Sequence, residues 1–384
     1  MGRRWIALGA GLAVLVGAVA PAAGASDRSR TPTRAELRRV AAAVMDATRA
    51  PGAIVAVQVE SHRPVTVARG STRRTGGAPM RTDSPFLSAS VSKAFTAAAL
   101  LALVRDHRLR LSDPVVRYVP GWDRRITVRM LLDHSSGLRS WGNKDDPDTR
   151  HDDLRSADFE RVFAPSESLE PVRTAPLLAA PGTATHYSNA NTILAGEVVA
   201  AVTHSTVGRA IDRYVVRPLH LRSTGYAPED LAPRAPISGV LWFDDAETSE
   251  VETAQYPLTS LLTLSGPSIG VVSDAPDLLR FARSFLRGDF PTPRLARSAN
   301  TVGTGGAGLG VIGFTRRGYC IFDGCPRGAR FPRRGFAGNM EGTAVRVVHD
   351  PRLDATVLVF ANSSEGASLD PLVRRTFALV AADR

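Results

Sequence analysis

Lysine is almost missing from this chain. Of its 48 lysine and arginine residues, only Lys93 and Lys144 are lysines. No Gly-Lys-Ser/Thr phosphate loop can be written, which excludes that class of nucleotide-binding site. Cysteine is equally scarce, with Cys320 and Cys325 alone in CIFDGC. In an exported chain so close a pair reads as a disulfide across a short turn rather than half a metal site; a cytoplasmic location would reverse that judgement. The histidines form no HExxH or related zinc spacing, so no metal is expected. Internal repeats and long low-complexity runs are also missing. The longest apolar run, Ile6 to Ala20, falls short of the roughly 20 residues that span a bilayer.

That run has the form of a secretory leader. Arg3 and Arg4 provide a basic start and Ala23-Gly24-Ala25 a small-residue cleavage site, so cleavage is expected after Ala25, with an extracytoplasmic mature chain and no stable membrane anchor. An uncleaved amino-terminal anchor is the alternative. The roughly 360 residues that follow exceed what one small core organises. The formal net charge of +11 would suit a polyanionic partner. Its arginines are spread along the chain, however, and no nucleic-acid motif accompanies them. A basic solvated surface is the reading, with one local cluster at Arg327, Arg330, Arg333 and Arg334.

Thr33 and Glu36 form a capping box ahead of a helical stripe through Leu37, Val40, Ala41 and Val44. Gly52 to Glu60 and Pro64 to Gly70 read as a hairpin. At the other end Thr343 to Asp350 and Ala355 to Asn362 are strand-like and Leu369 to Ala382 is helical. The expected fold is α+β: one antiparallel sheet flanked by helices from both chain ends (residues 33–85 and 265–384), with a mostly helical subdomain inserted at 86–264. The loop at 142–153 is acidic and reads as solvated.

Within Ser84 to Arg105, SPFLSASVSKAFTAAALLALVR, Ser90 and Lys93 stand one helical turn apart. Arginine stays charged in proteins, whereas lysine can lose its proton when desolvated, so a lysine here is informative. The pair reads as a nucleophile and its base, or as a capping serine beside a snorkelling lysine. Downstream, PGTATHYSN carries Tyr187 and Asn189 two residues apart, on one side of an extended stretch. A phenol there could relay a proton, or be an ordinary loop tyrosine. His134 in LLDHSSG reads as a supporting, hydrogen-bonded residue. Gly266-Pro267-Ser268-Ile269-Gly270 fits a nucleophile elbow of the alpha/beta-hydrolase kind, with His349 as base, but Val271 and Val272 follow where a helix is required. Gly303, Gly305 and Gly308 match a dinucleotide fingerprint without the strand before it or the helix after it.

Taken in order, Ser90-Val91-Ser92-Lys93, Ile126 to Leu138, Pro181-Gly182-Thr183 with Tyr187-Ser188-Asn189, Pro218-Leu219 and Gly270 to Phe281 carry a resemblance. The chain resembles the serine beta-lactamase and penicillin-binding protein superfamily, above all its branch of class C beta-lactamases, D-alanyl-D-alanine carboxypeptidases and esterases. The resemblance implies a crevice between a sheet and a helical lobe, acyl transfer through a serine ester, and no cofactor. The substrate would be a D-alanyl peptide from peptidoglycan, a beta-lactam or a carboxylic ester, taken by a monomer. It casts Ser90 as nucleophile, Lys93 as its base, Tyr187 as proton shuttle and Asn189 as a substrate contact. The third motif, on an edge strand, aligns with Phe336-Ala337-Gly338, and the oxyanion hole would be the backbone N–H groups of Ser90 and Asn339. Phe336 stands where that motif has a cation and Ala337 where it has a hydroxyl. Either Arg333 or Arg334 supplies the charge, or the substrate carries no carboxylate there, or the chain is a catalytically silent cell-envelope binding protein.

Overall fold

The computed structural model describes residues 29–140, 160–229, 231–237, 239–242, 250–252, 258–319, 325–326, 328–340, 342–363 and 368–381. The expected leader 1–25, the acidic loop 142–153, Arg327 and Cys320 lie outside them. Cys325 is disulfide-bonded.

Helix α1 (Arg34–Thr48) begins at the expected capping box, with Glu36 N donating to Thr33 Oγ1 and Thr33 N donating to the Glu36 carboxylate at 2.8 Å. Its Leu37, Val40, Ala41 and Val44 are buried, the stripe that a 3.6-residue period presents to a core. Strands β1 (Gly52–Val59) and β2 (Val65–Gly70) pair antiparallel. Then come α2 (Ser92–Arg105), α3 (Asn189–Thr203) and α4 (Ala275–Arg287). The chain closes with β3 (Ile312–Phe314), β4 (Arg333–Met340), β5 (Thr343–Asp350), β6 (Ala355–Ala361) and α5 (Asp370–Val380).

The six strands lie in the order β2-β1-β6-β5-β4-β3, and every neighbouring pair is antiparallel. Strands from the two ends of the chain thus meet in the middle, with Val55 opposite Val359. Alternation along each strand sorts side chains into two cores. Val55, Val57, Val357 and Val359 face α1 and α5. Ile54, Ala56, Leu358 and Phe360 share the larger core with Phe281 and Phe285 of α4 and with α2. Because both faces are covered, β6 reads as an apolar run interrupted only by Thr356, ATVLVFA, where a half-exposed strand would alternate. Every residue of α2 from Ser92 to Leu103 is buried, Lys93 included.

One expectation needs correction. β4 is not the outermost strand: β3 lies outside it, with Ile312, Gly313 and Phe314 opposite Gly335, Arg334 and Arg333. β3 ends there, so among the described residues no strand pairs with the outer side of β4 from Phe336 to Met340, and it is this half that carries the expected motif. Phe336 turns into the core against α4, 3% exposed, its ring 5.7 Å from that of Phe281 and 6.1 Å from that of Phe285. Phe336→Ala should therefore cost about 3–5 kcal/mol in denaturant unfolding, the usual range for a buried phenylalanine. Phe336→Lys should also destabilise the fold, because it puts a charge among phenylalanine rings; wild-type stability in Phe336→Lys would contradict this packing.

Candidate active site

The stretch from Ser88 into α2 is tied down at several points. Ser88 N and Oγ both donate to Val271 O at 2.8 Å, and Val271 N donates to Ser92 Oγ at 3.0 Å. Thr96 Oγ1 donates to Pro267 O at 3.1 Å. Between these anchors Ala89 adopts a left-handed backbone, φ +47°, which costs a residue with a Cβ about 1–2 kcal/mol. The turn leaves Ser90 half-exposed at the mouth of a cavity while Lys93 lies beneath it.

Lys93 Nζ donates to Ser90 Oγ at 3.0 Å and to the backbone oxygen of Ser268 at 3.2 Å. Among the described residues it has no ion-pair partner. Burial therefore acts unopposed and lowers its pKa to about 7. Ser90 Oγ lies 2.9 Å from Tyr187 Oη, and the Tyr187 ring centroid lies 5.0 Å from Lys93 Nζ. Burial pushes the Tyr187 phenol up to about 12, the bond from Ser90 offsetting this only in part, so it keeps its proton at neutral pH.

Two of the spaced motifs lie side by side to place that phenol. Gly182 N donates to Ser135 O at 2.7 Å and His186 N to His134 O at 2.9 Å. His134, itself left-handed at φ +59°, stacks on Tyr187 with ring centroids 4.9 Å apart. Its Nδ1 accepts from Ser188 N at 3.3 Å and stands 3.2 Å from Asn191 Nδ2, which puts the ring proton on Nε2. Burial, reinforced by the nearby Lys93, lowers its pKa to about 3, so the ring is neutral and holds the phenol by stacking.

Across the cavity, β4 passes so close to the Ser90 turn that a Cβ on Gly338 would lie 2.7 Å from Ser88 O, 3.0 Å from Ala89 Cβ and 3.1 Å from Ser90 N. Only glycine permits that approach. The cavity, about 210 Å³, is lined by Ser90, Lys93 and Tyr187 and by Phe336, Ala337, Gly338 and Asn339 of β4. Asn189 is not among its lining residues; it opens α3, its N–H donating to Ser140 Oγ at 3.2 Å.

Neither arginine expected to replace the missing cation reaches the cavity. Arg333 turns to the α5 face, where its Nε meets Asp350 at 2.9 Å and its guanidinium lies over Phe377. Arg334 turns to the opposite face and donates to Leu286 O at 3.1 Å. The cationic group at the wall besides Lys93, among the described residues, is Arg346 of β5, with Tyr319 beside it. The sequence reading missed both, although an arginine in the middle of TAVRVV was a visible signal, since buried charges require partners. The rival serine is a structural element: Ser268 is fully buried, Ser268 Oγ donates to Ser265 O at 2.7 Å, and its turn runs into a strand at Val271–Ser273. His349 bonds Thr356 Oγ1 within the sheet, which is antiparallel throughout. Among the described residues no metal-binding cluster exists and no helix is long and apolar enough to cross a membrane.

Comparison with known proteins agrees with the architecture. The esterase EstB of Burkholderia gladioli is 36% identical over 172 residues, 41% of this chain and 43% of its own length. Penicillin-binding protein 4 of Amycolatopsis lactamdurans is 29% identical over 247 residues, 62% of this chain and 59% of its own. The chain thus matches about half the length of these relatives. Among solved structures, the D-amino acid amidase of Ochrobactrum anthropi SV3 in complex with D-phenylalanine superposes with a TM-score of 0.74 at 18% identity, covering 91% of this chain and 100% of that one. The fold is therefore shared well beyond detectable sequence identity. The profile described as Beta-lactamase matches residues 37–382, so the chain belongs to the beta-lactamase family.

Proposed function

We propose that the protein is an exported serine acyl hydrolase that forms an acyl-enzyme on Ser90 and prefers carboxylic esters without a carboxylate near the scissile bond. The observation that carries this reading is the chain Lys93 Nζ, Ser90 Oγ, Tyr187 Oη, with steps of 3.0 and 2.9 Å. A lysine with a pKa of about 7 is partly neutral at physiological pH and can take the Ser90 proton as Oγ attacks the ester carbonyl. The tetrahedral oxyanion would be met by the N–H groups of Ser90 and Asn339. Tyr187, still a phenol, donates its proton to the departing alkoxide and recovers one through Lys93; water then cleaves the acyl-serine. Nothing in this sequence calls for a cofactor or a partner protein.

The preference for an uncharged ester rests on what lines the wall. Phe336 is committed to the core, Arg333 and Arg334 are turned away, and the charge of Arg346 is matched by Asp370 at 3.0 Å. A substrate carboxylate entering here would lose water without gaining a free cation among the described residues. The resemblance to an esterase supports the same choice, and the leader-like segment supports export.

Intact-mass spectrometry after brief exposure to a short-chain nitrophenyl ester should show one acyl adduct on the wild type and none on Ser90→Ala. Lys93→Arg should abolish the adduct as well, since arginine cannot act as the base. The acylation rate should rise about tenfold per pH unit below about pH 7 and level off above it, because only neutral Lys93 accepts the proton. An adduct on Ser90→Ala, or a flat profile between pH 5 and 8, would contradict the assignment. Gly338→Ala should retain the fold by circular dichroism yet slow acylation by roughly 10²-fold, the scale of losing one oxyanion donor.

A further inference from the structure

Among the described residues, the half of β4 that faces Ser90 pairs with a strand on one side only, that of β5. Met340 pairs with Thr343 and only two residues intervene. In such a hairpin the closing pair exchanges both hydrogen bonds, and bonded and non-bonded pairs alternate away from it. Gly338 opposite Val345 is then a bonded pair, and the N–H of Asn339 points to the open edge. That N–H shares a peptide unit with the carbonyl of Gly338, and in a trans peptide the two point in opposite directions.

Arg346 grips this unit. Its Nη1 donates to Gly338 O at 3.3 Å and to Asn339 Oδ1 at 2.9 Å, so one nitrogen holds the peptide carbonyl and the side chain that follows it. Arg346 is only 2% exposed and is itself fixed: its Nε donates to Asp370 Oδ1 at 3.0 Å, and its guanidinium carbon lies 4.9 Å from the Tyr319 ring centroid. Asp370, the first residue of α5, also accepts from Tyr319 N at 3.3 Å.

We infer that Arg346, held by Asp370, is a positioning residue that orients the Gly338–Asn339 peptide so that its N–H faces the Ser90 oxyanion. Donation into the carbonyl fixes the plane of the peptide and polarises it, which makes the opposite N–H a better donor. Asp370 balances the guanidinium charge, so Arg346 acts through the peptide and not as an anchor for a substrate carboxylate. The inference rests on the acyl-hydrolase reading above and adds to it the source of the oxyanion-hole geometry.

The test uses the full-length protein with Arg346→Met, Arg346→Lys, Asp370→Asn and Asn339→Ala, a neutral nitrophenyl ester, and a short alkylboronic acid whose serine adduct mimics the tetrahedral intermediate. Arg346→Met should lower kcat roughly 10- to 100-fold and weaken the boronate by a similar factor, with KM nearly unchanged, because the lost interaction belongs to the transition state. The pH midpoint set by Lys93 should stay near 7. Asp370→Asn should show a smaller loss of the same kind, and Arg346→Lys a partial rescue. A merely structural ion pair would lower the melting temperature while leaving kcat and boronate affinity of the folded fraction at wild-type values, and that result would overturn the inference. So would an effect confined to the KM of a carboxylate-bearing ester. If Arg346→Met does not fold, Asn339→Ala decides the matter, since it removes an exposed side-chain amide, with the oxygen that Arg346 holds, and leaves the backbone N–H in place: weaker boronate binding supports the inference and unchanged binding overturns it. A wild type that takes up neither acyl group nor boronate removes the hydrolase reading itself, an outcome distinct from wild-type acylation that Arg346→Met leaves intact.

Discussion

A primary amine held out of water without a counter-ion is the constraint from which the rest of this site follows. Lys93 is 8% exposed, has hydroxyl and carbonyl oxygens as hydrogen-bond partners, and has its pKa lowered to about 7 by burial alone. Keeping it desolvated requires α2 to be buried along nearly its whole length, which is why that helix lacks an amphipathic face. Keeping it aimed requires the carbonyls of the Gly266–Ser268 turn, to which Lys93 and Thr96 both donate. The glycine and proline of that turn serve the amine, although in sequence they imitate a nucleophile elbow.

Opposite the amine, the sheet stops one strand short. β3 covers β4 only as far as Gly335, and among the described residues no strand pairs with its outer side beyond that point. An open edge is normally a liability, since unpaired N–H groups invite foreign strands. Here it is brought within reach of the Ser90 turn by Gly338 and is braced from the other face of the sheet by Arg346, Asp370 and Tyr319. The two halves of the site thus depend on different physics. The serine side is governed by desolvation, and the strand side by hydrogen-bond geometry.

Much of this was legible in the sequence. Strand-like apolar runs near both termini, each next to a helical stripe, identified the sheet and its flanking helices, and a lysine in an arginine-rich chain marked Lys93. The spaced motifs brought in Tyr187, which the structure places 2.9 Å from Ser90 Oγ. What sequence could not supply was register. Whether Arg333 and Arg334 faced the cavity depended on the alternation of β4 around a short third strand, and the structure turns them to opposite faces and away from it. Arg346 was hidden for a related reason: its partner Asp370 is 24 residues away, at the start of a helix. Asn189 opens α3 and does not line the cavity in this structure, so its expected contact with substrate stays a proposal.

The scarcity of lysine that first drew attention to Lys93 also makes the central claim directly measurable. With only Lys93 and Lys144 in the chain, carbon-13 labelling at the lysine Cε positions gives two resonances to follow by NMR from pH 5 to 11, assigned with Lys144→Arg. The account predicts that one titrates near the ordinary lysine value of about 10.4 and the other, Lys93, at about 7. Two resonances that both titrate near 10 would show that Lys93 remains an ammonium ion at neutral pH and would contradict its role as the base for Ser90.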